Sequence, residues 1–125
     1  MAKPRPRRLL LQCRDEREAT LCEAIAFAFA RDAGLRGIDV WHVAACAVTL
    51  GNHLLARGGG DLELRVVDEP RPAIELLASD DGPPLAGLSE ELRAATRYAA
   101  EVQLAPAHPR DGTIAVARVW LRGGN

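Results

Sequence analysis

The hydrophobic period of this 125-residue chain changes abruptly at the run Gly58-Gly59-Gly60. Upstream, Val40, Val43, Ala44, Ala47, Leu50 and Leu54 recur at the three- and four-residue spacing of a single helix face. Downstream, Leu62, Leu64 and Val66 alternate with Glu63, Arg65 and Val67, the period of a strand with one buried face. A helix loses about 1 kcal/mol for each glycine in its interior, so it must end at this run. Any fold open to the chain therefore turns a long buried helix directly into a strand.

The rest of the order follows from the same two periods. Arg8 to Cys13 is a short apolar strand, and Ala19, Cys22, Ala26 and Phe29 mark a helix over about Glu16–Asp32, with Gly34 as its stop. Asp39 is the expected N-cap of the helix that reaches Ala56. After the Glu69–Pro72 turn, Ala73–Ala78 reads as a more continuously apolar, central strand. Asp80–Gly87 is a loop, Ser89 caps a helix expected over about Glu90–Val102, and Pro106–Gly112 is a second loop. Thr113–Leu121 alternates as a final strand. This order predicts an α/β protein of the two-layer α+β sandwich kind, with helices on one face of a mixed sheet. One domain is expected over residues 9–125, preceded by a basic arm over residues 1–8.

Composition narrows the function classes. A formal net charge of −1 gives no global electrostatic case for nucleic acid or membrane surfaces. No apolar run is long enough to span a bilayer, and the apolar stretch after the basic arm is too short for a signal-peptide core. The expectation is a cytoplasmic protein whose three cysteines are reduced, buried thiols. Neither Cys13, Cys22 and Cys46 nor His42, His53 and His108 show zinc-ligand spacing.

Two segments carry candidate chemistry. In Ala47-Val-Thr-Leu-Gly-Asn52, the Gly51-Asn52 pair opposes its own helix, a conflict that has either a packing or a functional reason. The amide oxygen of Asn52 is a suitable hard ligand for Mg²⁺. In Asp80-Asp-Gly82-Pro-Pro84, Asp80 ends a strand; its ionised carboxylate accepts hydrogen bonds only and can select an amino group. Gly82 allows close approach to the backbone there. Thr113, after Gly112, opens the last strand. Each also has a plain explanation: a surface asparagine, a common turn, a strand-entry threonine.

In this order and spacing, from about Leu9 to Leu121, the segments resemble the GHKL (histidine-kinase-like) ATPase fold, and most closely its anti-sigma-factor serine kinases of the RsbT type. Gly112-Thr113 to Trp120-Leu121 is similar to the terminal strand of those kinases. The resemblance implies a Bergerat-like ATP-binding fold. Asn52 would be a ligand of Mg²⁺, and Asp80, Gly82 and Thr113 would contact adenine. The implied partner is a STAS-domain anti-sigma antagonist or a sigma factor.

The chain departs from that pattern where catalysis is performed. The family's base position, one helical turn before the asparagine, holds Val48, which takes no proton. Ser89 and Glu91 stand where the family has phosphate-cradling glycines, Pro84 replaces the last glycine of the Asp-x-Gly turn, and only Pro83–Leu88 is left for the lid. A carboxylate at Glu91 repels phosphate. The expected function is a partner-binding regulatory domain with a degenerate ATP site, a pseudokinase that binds ATP and Mg²⁺ weakly. Two alternatives stay open: an active serine/threonine kinase with a base from Asp81 or Glu91, and an α/β interaction domain without nucleotide.

Overall fold

The computed structural model describes residues 7–69, 71–83, 85–106 and 112–121. Its elements run β1 (Arg8–Cys13), α1 (Glu16–Asp32), α2 (Ile38–Ala56), β2 (Gly60–Val67), β3 (Ala73–Ser79), α3 (Glu90–Ala95), β4 (Glu101–Pro106) and β5 (Thr113–Trp120). The strands form one sheet in the order β1-β2-β3-β5-β4. All four pairings are antiparallel, where a mixed sheet was expected. The α/β sandwich itself is as the sequence predicts.

Helix α1 starts on a reciprocal cap. Asp15 Oδ1 accepts from the Glu18 N–H at 2.8 Å, and Glu18 Oε1 accepts from the Arg14 N–H at 2.9 Å. It ends at Asp32, and Gly34 takes a φ of 102° just beyond, the stop its sequence position implies. Helix α2 begins one residue earlier than its predicted cap. Gly37 occupies the N-cap and Asp39 lies in the first turn, where its charge suits the positive helix end.

The core lies between α1 and α2 and one face of the sheet. Val40, Val43, Ala44, Ala47, Leu50 and Leu54 of α2 are all buried, as their spacing predicts. Opposite them, Leu62 and Leu64 of β2, Ile74, Leu76 and Ala78 of β3, and Ala115, Ala117 and Val119 of β5 form one cluster with both helices. The register explains why these side chains share a face: Leu64 pairs with Leu76, and Leu76 pairs with Ala117. Each large aliphatic chain buried this way contributes about 1.5–3 kcal/mol.

The region after Ser89 corrects the sequence reading. The helix expected to reach Val102 stops at Ala95, and Glu101–Pro106 forms the edge strand β4 instead. Val102 and Leu104 pair with Ala117 and Ala115, so both extend the core-facing rows of β5. The alanine-rich run favours helix, but sheet pairing outweighs that local preference. At the other end, Arg8 already belongs to β1, and Arg7 holds Asp68 at 2.9 Å. Of the expected basic arm, residues 1–6 lie outside the described residues, as do residues 107–111 of the predicted Pro106–Gly112 loop.

The face of the sheet away from the helices carries a charge ladder. Glu75 accepts from Arg65 Nε at 2.7 Å and from Arg118 Nε, while Arg118 Nη1 reaches Glu101 at 2.8 Å. Glu75 is only 3 % exposed although, among the described residues, no helix covers that face. Burial alone would push its carboxyl up, but the hydrogen bonds from Arg118 and Arg65 outweigh it and hold the group below the ordinary range.

Candidate functional site

The site forms where β3 ends beneath the C-terminal turn of α2. Asp80 follows the last residue of β3, and its N–H donates to the Thr113 carbonyl at 3.2 Å, so the start of β5 fixes its backbone. Gly112 makes that approach feasible. A Cβ at Gly112 would lie 2.0 Å from the Asp80 carbonyl oxygen, and its φ of 129° suits glycine alone. Asp80 Oδ1 accepts from the Gly82 N–H at 2.8 Å, closing the turn as an Asx turn. Thr113 Oγ1 accepts from the Leu85 N–H at 3.0 Å and ties the following loop to the same place. Three of the four predicted site residues, Asp80, Gly82 and Thr113, are thus brought together.

Asn52 is placed differently. It is exposed on α2, and the helix turns its neighbour His53 onto Asp80. His53 and Arg57, four residues apart, share that face. His53 Nε2 lies 3.8 Å from Asp80 Oδ2, and Arg57 Nη2 lies 2.9 Å from Asp80 Oδ1. Arg57 also donates to the Pro83 carbonyl. Its guanidinium therefore lies across the Asp80–Pro83 turn, and a Cβ on Gly82 would meet Arg57 Nη2 at 3.0 Å.

The electrostatics decide the charge state of His53. Burial is the largest influence and pushes its pKa down; Asp80 opposes that, and Arg57 adds to it. His53 is accordingly a neutral imidazole at pH 7, and its approach to Asp80 is not an ion pair. The ion pair of the site is Arg57 with Asp80. Ser89 Oγ is 3.5 Å from His53 Nδ1 and accepts from the Leu92 N–H at 3.3 Å as the cap of α3. Three buried polar atoms here have no hydrogen-bond partner: His53 Nε2, Arg57 Nε and Asp80 Oδ2.

This arrangement does not fit an adenine amine as it stands. The Asp80 side chain is fully buried, and the oxygen turned toward the loop already accepts from Arg57 and Gly82. A base reaches that carboxylate only if Arg57 leaves it. No group of three or more His, Cys, Asp or Glu residues able to hold an ion exists among the described residues. Val48 is half-buried on α2, and Glu91 is half-buried in the first turn of the short α3.

Sequence reasoning missed His53 and Arg57. A signal for both was present: they follow Leu50 and Leu54 at three-residue intervals, so the buried stripe of α2 continues through His53 to Arg57. The Gly51 conflict resolves as packing. A Cβ there would meet Cys13 Sγ at 3.3 Å and Ala19 Cβ at 3.6 Å, where α2 crosses β1 and α1.

Comparisons with known proteins agree on the fold and go no further. No protein-family model matches the chain, and no curated protein matches it. Among solved structures it is similar to the RsbU and RsbW domains of Rv1364c from Mycobacterium tuberculosis, with a TM-score of 0.70 and 14% sequence identity. The match covers 93% of this chain and 33% of that one, so the chain spans about a third of the length of its structural neighbour. No helix of the described residues is long and apolar enough to cross a membrane. What the likeness establishes is the fold, an α+β sandwich.

Proposed function

We propose that this chain is a partner-binding regulatory domain of the anti-sigma-factor/serine-kinase type whose nucleotide site is degenerate. The observation that carries the reading is Arg57 seated on Asp80, the carboxylate that the family resemblance assigns to adenine. A chain that depends on ATP keeps that acceptor open, whereas here the half-buried arginine that caps the end of α2 neutralises it. The absence of a proton acceptor at Val48 and the acids at Glu90 and Glu91 beside the cap of α3 support the same conclusion. The fold likeness to the chain holding RsbU and RsbW domains supports a signalling role, and a STAS-domain antagonist or a sigma factor is the partner class we assign.

In this reading ATP binds weakly, mostly through its adenine end and only when Arg57 moves off Asp80, and Asn52 is the side chain that would meet Mg²⁺. The test is calorimetry of the purified chain with a STAS-domain protein and with a sigma factor encoded beside it, together with transfer of labelled phosphate from ATP. Binding that survives Asn52→Ala, without label on either protein, is the expected result. Label transfer that disappears in Asn52→Ala would establish the active kinase instead. Failure to bind either protein class would remove the regulatory reading.

A further inference from the structure

Two of the three cysteines stand together. Cys13 ends β1, Cys22 lies in the second turn of α1, and their thiols share a hydrogen bond. Cys13 Sγ also donates to the Gly51 carbonyl of α2 at 3.6 Å. Gly51 is where the three elements meet. A Cβ there would stand 3.3 Å from Cys13 Sγ and 3.6 Å from Ala19 Cβ, and Ala19 is one helical turn before Cys22 on the same face of α1. On its other side Cys22 forms part of the wall of an open groove of about 290 Å³, beside Leu11 and Gln12 of β1. Cys13 is not among the residues lining that groove. The order from solvent inward is therefore groove, Cys22, Cys13, Gly51. All three cysteines are free thiols.

A thiolate, not a thiol, attacks an electrophile. Burial pushes both members of the pair up, Cys13 to about 12, and the Glu18 carboxylate adds to the effect on each. Cys22 alone has a compensating influence, because its hydrogen bond with Cys13 favours its thiolate. Cys22 is thus both the member that ionises more readily and the member that meets the groove. Cys13 stands directly behind it. Cys46 has no such neighbour: its Sγ donates to the Ala95 carbonyl at 4.0 Å, and burial pushes its thiol up to about 12 with nothing to oppose it.

We propose that Cys22 and Cys13 form a thiol-oxidation site, in which Cys22 reacts with hydrogen peroxide entering the groove and Cys13 then closes a disulfide onto it. In the first step the Cys22 thiolate attacks one peroxide oxygen and the O–O bond breaks. The other oxygen leaves with the electron pair and takes up the proton that Cys22 released, giving water and a Cys22 sulfenic acid. In the second step the Cys13 sulfur bonds to the Cys22 sulfur, the S–O bond breaks, and the hydroxyl leaves as water with the Cys13 proton. The two sulfurs together lose two electrons, and the peroxide is reduced to two waters. Closure to the ~2.05 Å of a disulfide draws Cys13 Sγ off the Gly51 carbonyl and removes the hydrogen it donated there. Asn52 and His53 follow Gly51 directly, so the redox state is felt where the candidate site begins. This inference stands on the placement of the cysteines and is independent of the partner-binding reading.

The test treats the reduced full chain with hydrogen peroxide, blocks the remaining thiols with N-ethylmaleimide after unfolding, and locates the products by peptide mass spectrometry. The expected product has lost two hydrogens, joins the Cys13 and Cys22 peptides, and carries the maleimide on Cys46. The pair should oxidise at least about tenfold faster than Cys46. In Cys13→Ala the reaction should stop at a Cys22 sulfenic acid that dimedone captures, and in Cys22→Ala neither remaining cysteine should react at that rate. A readout that needs no variant is the set of amide shifts of Gly51, Asn52 and His53, which should differ between the reduced and the oxidised chain and return with dithiothreitol. Cys46 oxidised as fast as the pair, a disulfide that links two chains, or a pair that oxidises only in denaturant would overturn the proposal. An intramolecular disulfide that leaves the shifts of Gly51, Asn52 and His53 unchanged would overturn its coupling to α2.

Discussion

Replacing Arg57 by alanine is the most informative perturbation of the site. It removes a hydrogen bond of 2.9 Å to a fully buried carboxylate and a second to the Pro83 carbonyl. Breaking a buried ion pair by deleting one partner costs about 3–5 kcal/mol, because the other charge is left uncompensated. Two features place Arg57→Ala at the lower end. Its side chain keeps 14% exposure, and Asp80 retains the Gly82 N–H at 2.8 Å. A loss of about 3 kcal/mol follows, which for a domain of this size lowers Tm by roughly 10 °C. Urea unfolding of Arg57→Ala, Asp80→Asn and the double variant measures the pair directly. The double variant should be less destabilised than the sum of the singles by about 2 kcal/mol. The same change should let the His53 pKa rise, since Arg57 is one of the groups that lower it, and should make adenosine binding detectable. A coupling under about 0.5 kcal/mol, with Tm unchanged, would refute the clamp.

Three further outcomes can be checked on the purified chain. His53 titrates below its ordinary 6.5, so unfolding takes up a proton in mildly acidic solution; its contribution is whole above pH 6.5 and is lost as pH falls below that value. The wild-type stability curve should decline there by up to about 1.4 kcal/mol per pH unit, and His53→Gln should flatten it. Glu75 is held below its ordinary 4.5, so its contribution persists above that pH and fails only in stronger acid; Glu75→Gln should remove this second decline and cost about 1–2 kcal/mol near neutrality, read by denaturant midpoints. Gly112→Ala should cost more than about 3 kcal/mol, since its Cβ would stand 2.0 Å from the Asp80 carbonyl at a φ of 129°, whereas Gly58→Ala meets no atom within 4 Å and should cost only the strain of its own φ, about 1–2 kcal/mol. Paired thermal melts separate the two.

Much of the sandwich is legible in the sequence because its buried rows have clean periods. The α2 stripe and the β2 alternation each identify their own inward face, and the structure buries Val40 to Leu54 of the one and Leu62 and Leu64 of the other, whereas the β5 alternation marked a strand without saying that its smaller row, Ala115, Ala117 and Val119, faces in. Strand β4 was hidden because Arg93-Ala-Ala-Thr-Arg97 and Ala99-Ala100 satisfy helical preference locally, while what makes Glu101–Pro106 a strand is its pairing with β5, across the Pro106–Gly112 loop. Sheet direction was hidden for a similar reason. Two helices between β1 and β2 suggest a crossover, but an antiparallel return is equally compatible with them, and only pairing decides. At the site, Asp80, Gly82 and Thr113 were readable from turn and strand-entry chemistry. His53 and Arg57 were not read: His53 was weighed only for metal-ligand spacing, and Arg57, just past the end of the predicted helix, was not considered, although both continue the α2 stripe.

Two acids on or just beyond β3 show why the Asp80 end, and not the open face, is the functional candidate. Glu75 and Asp80 are both nearly excluded from solvent, and arginines neutralise both. Glu75 has each oxygen engaged by a separate arginine, so its ladder is complete and needs nothing further. Asp80 has one oxygen doubly engaged and the other without a hydrogen bond, facing an imidazole nitrogen that also lacks one. Each such buried, unpaired group costs about 1–3 kcal/mol, a cost a purely structural site avoids by rotamer or substitution. Natural chains break local rules of this kind chiefly where function demands it. The completed ladder therefore reads as stabilisation of an uncovered sheet face. The incomplete cluster of His53, Arg57 and Asp80, with three buried polar atoms left without a hydrogen bond, is where the candidate site lies.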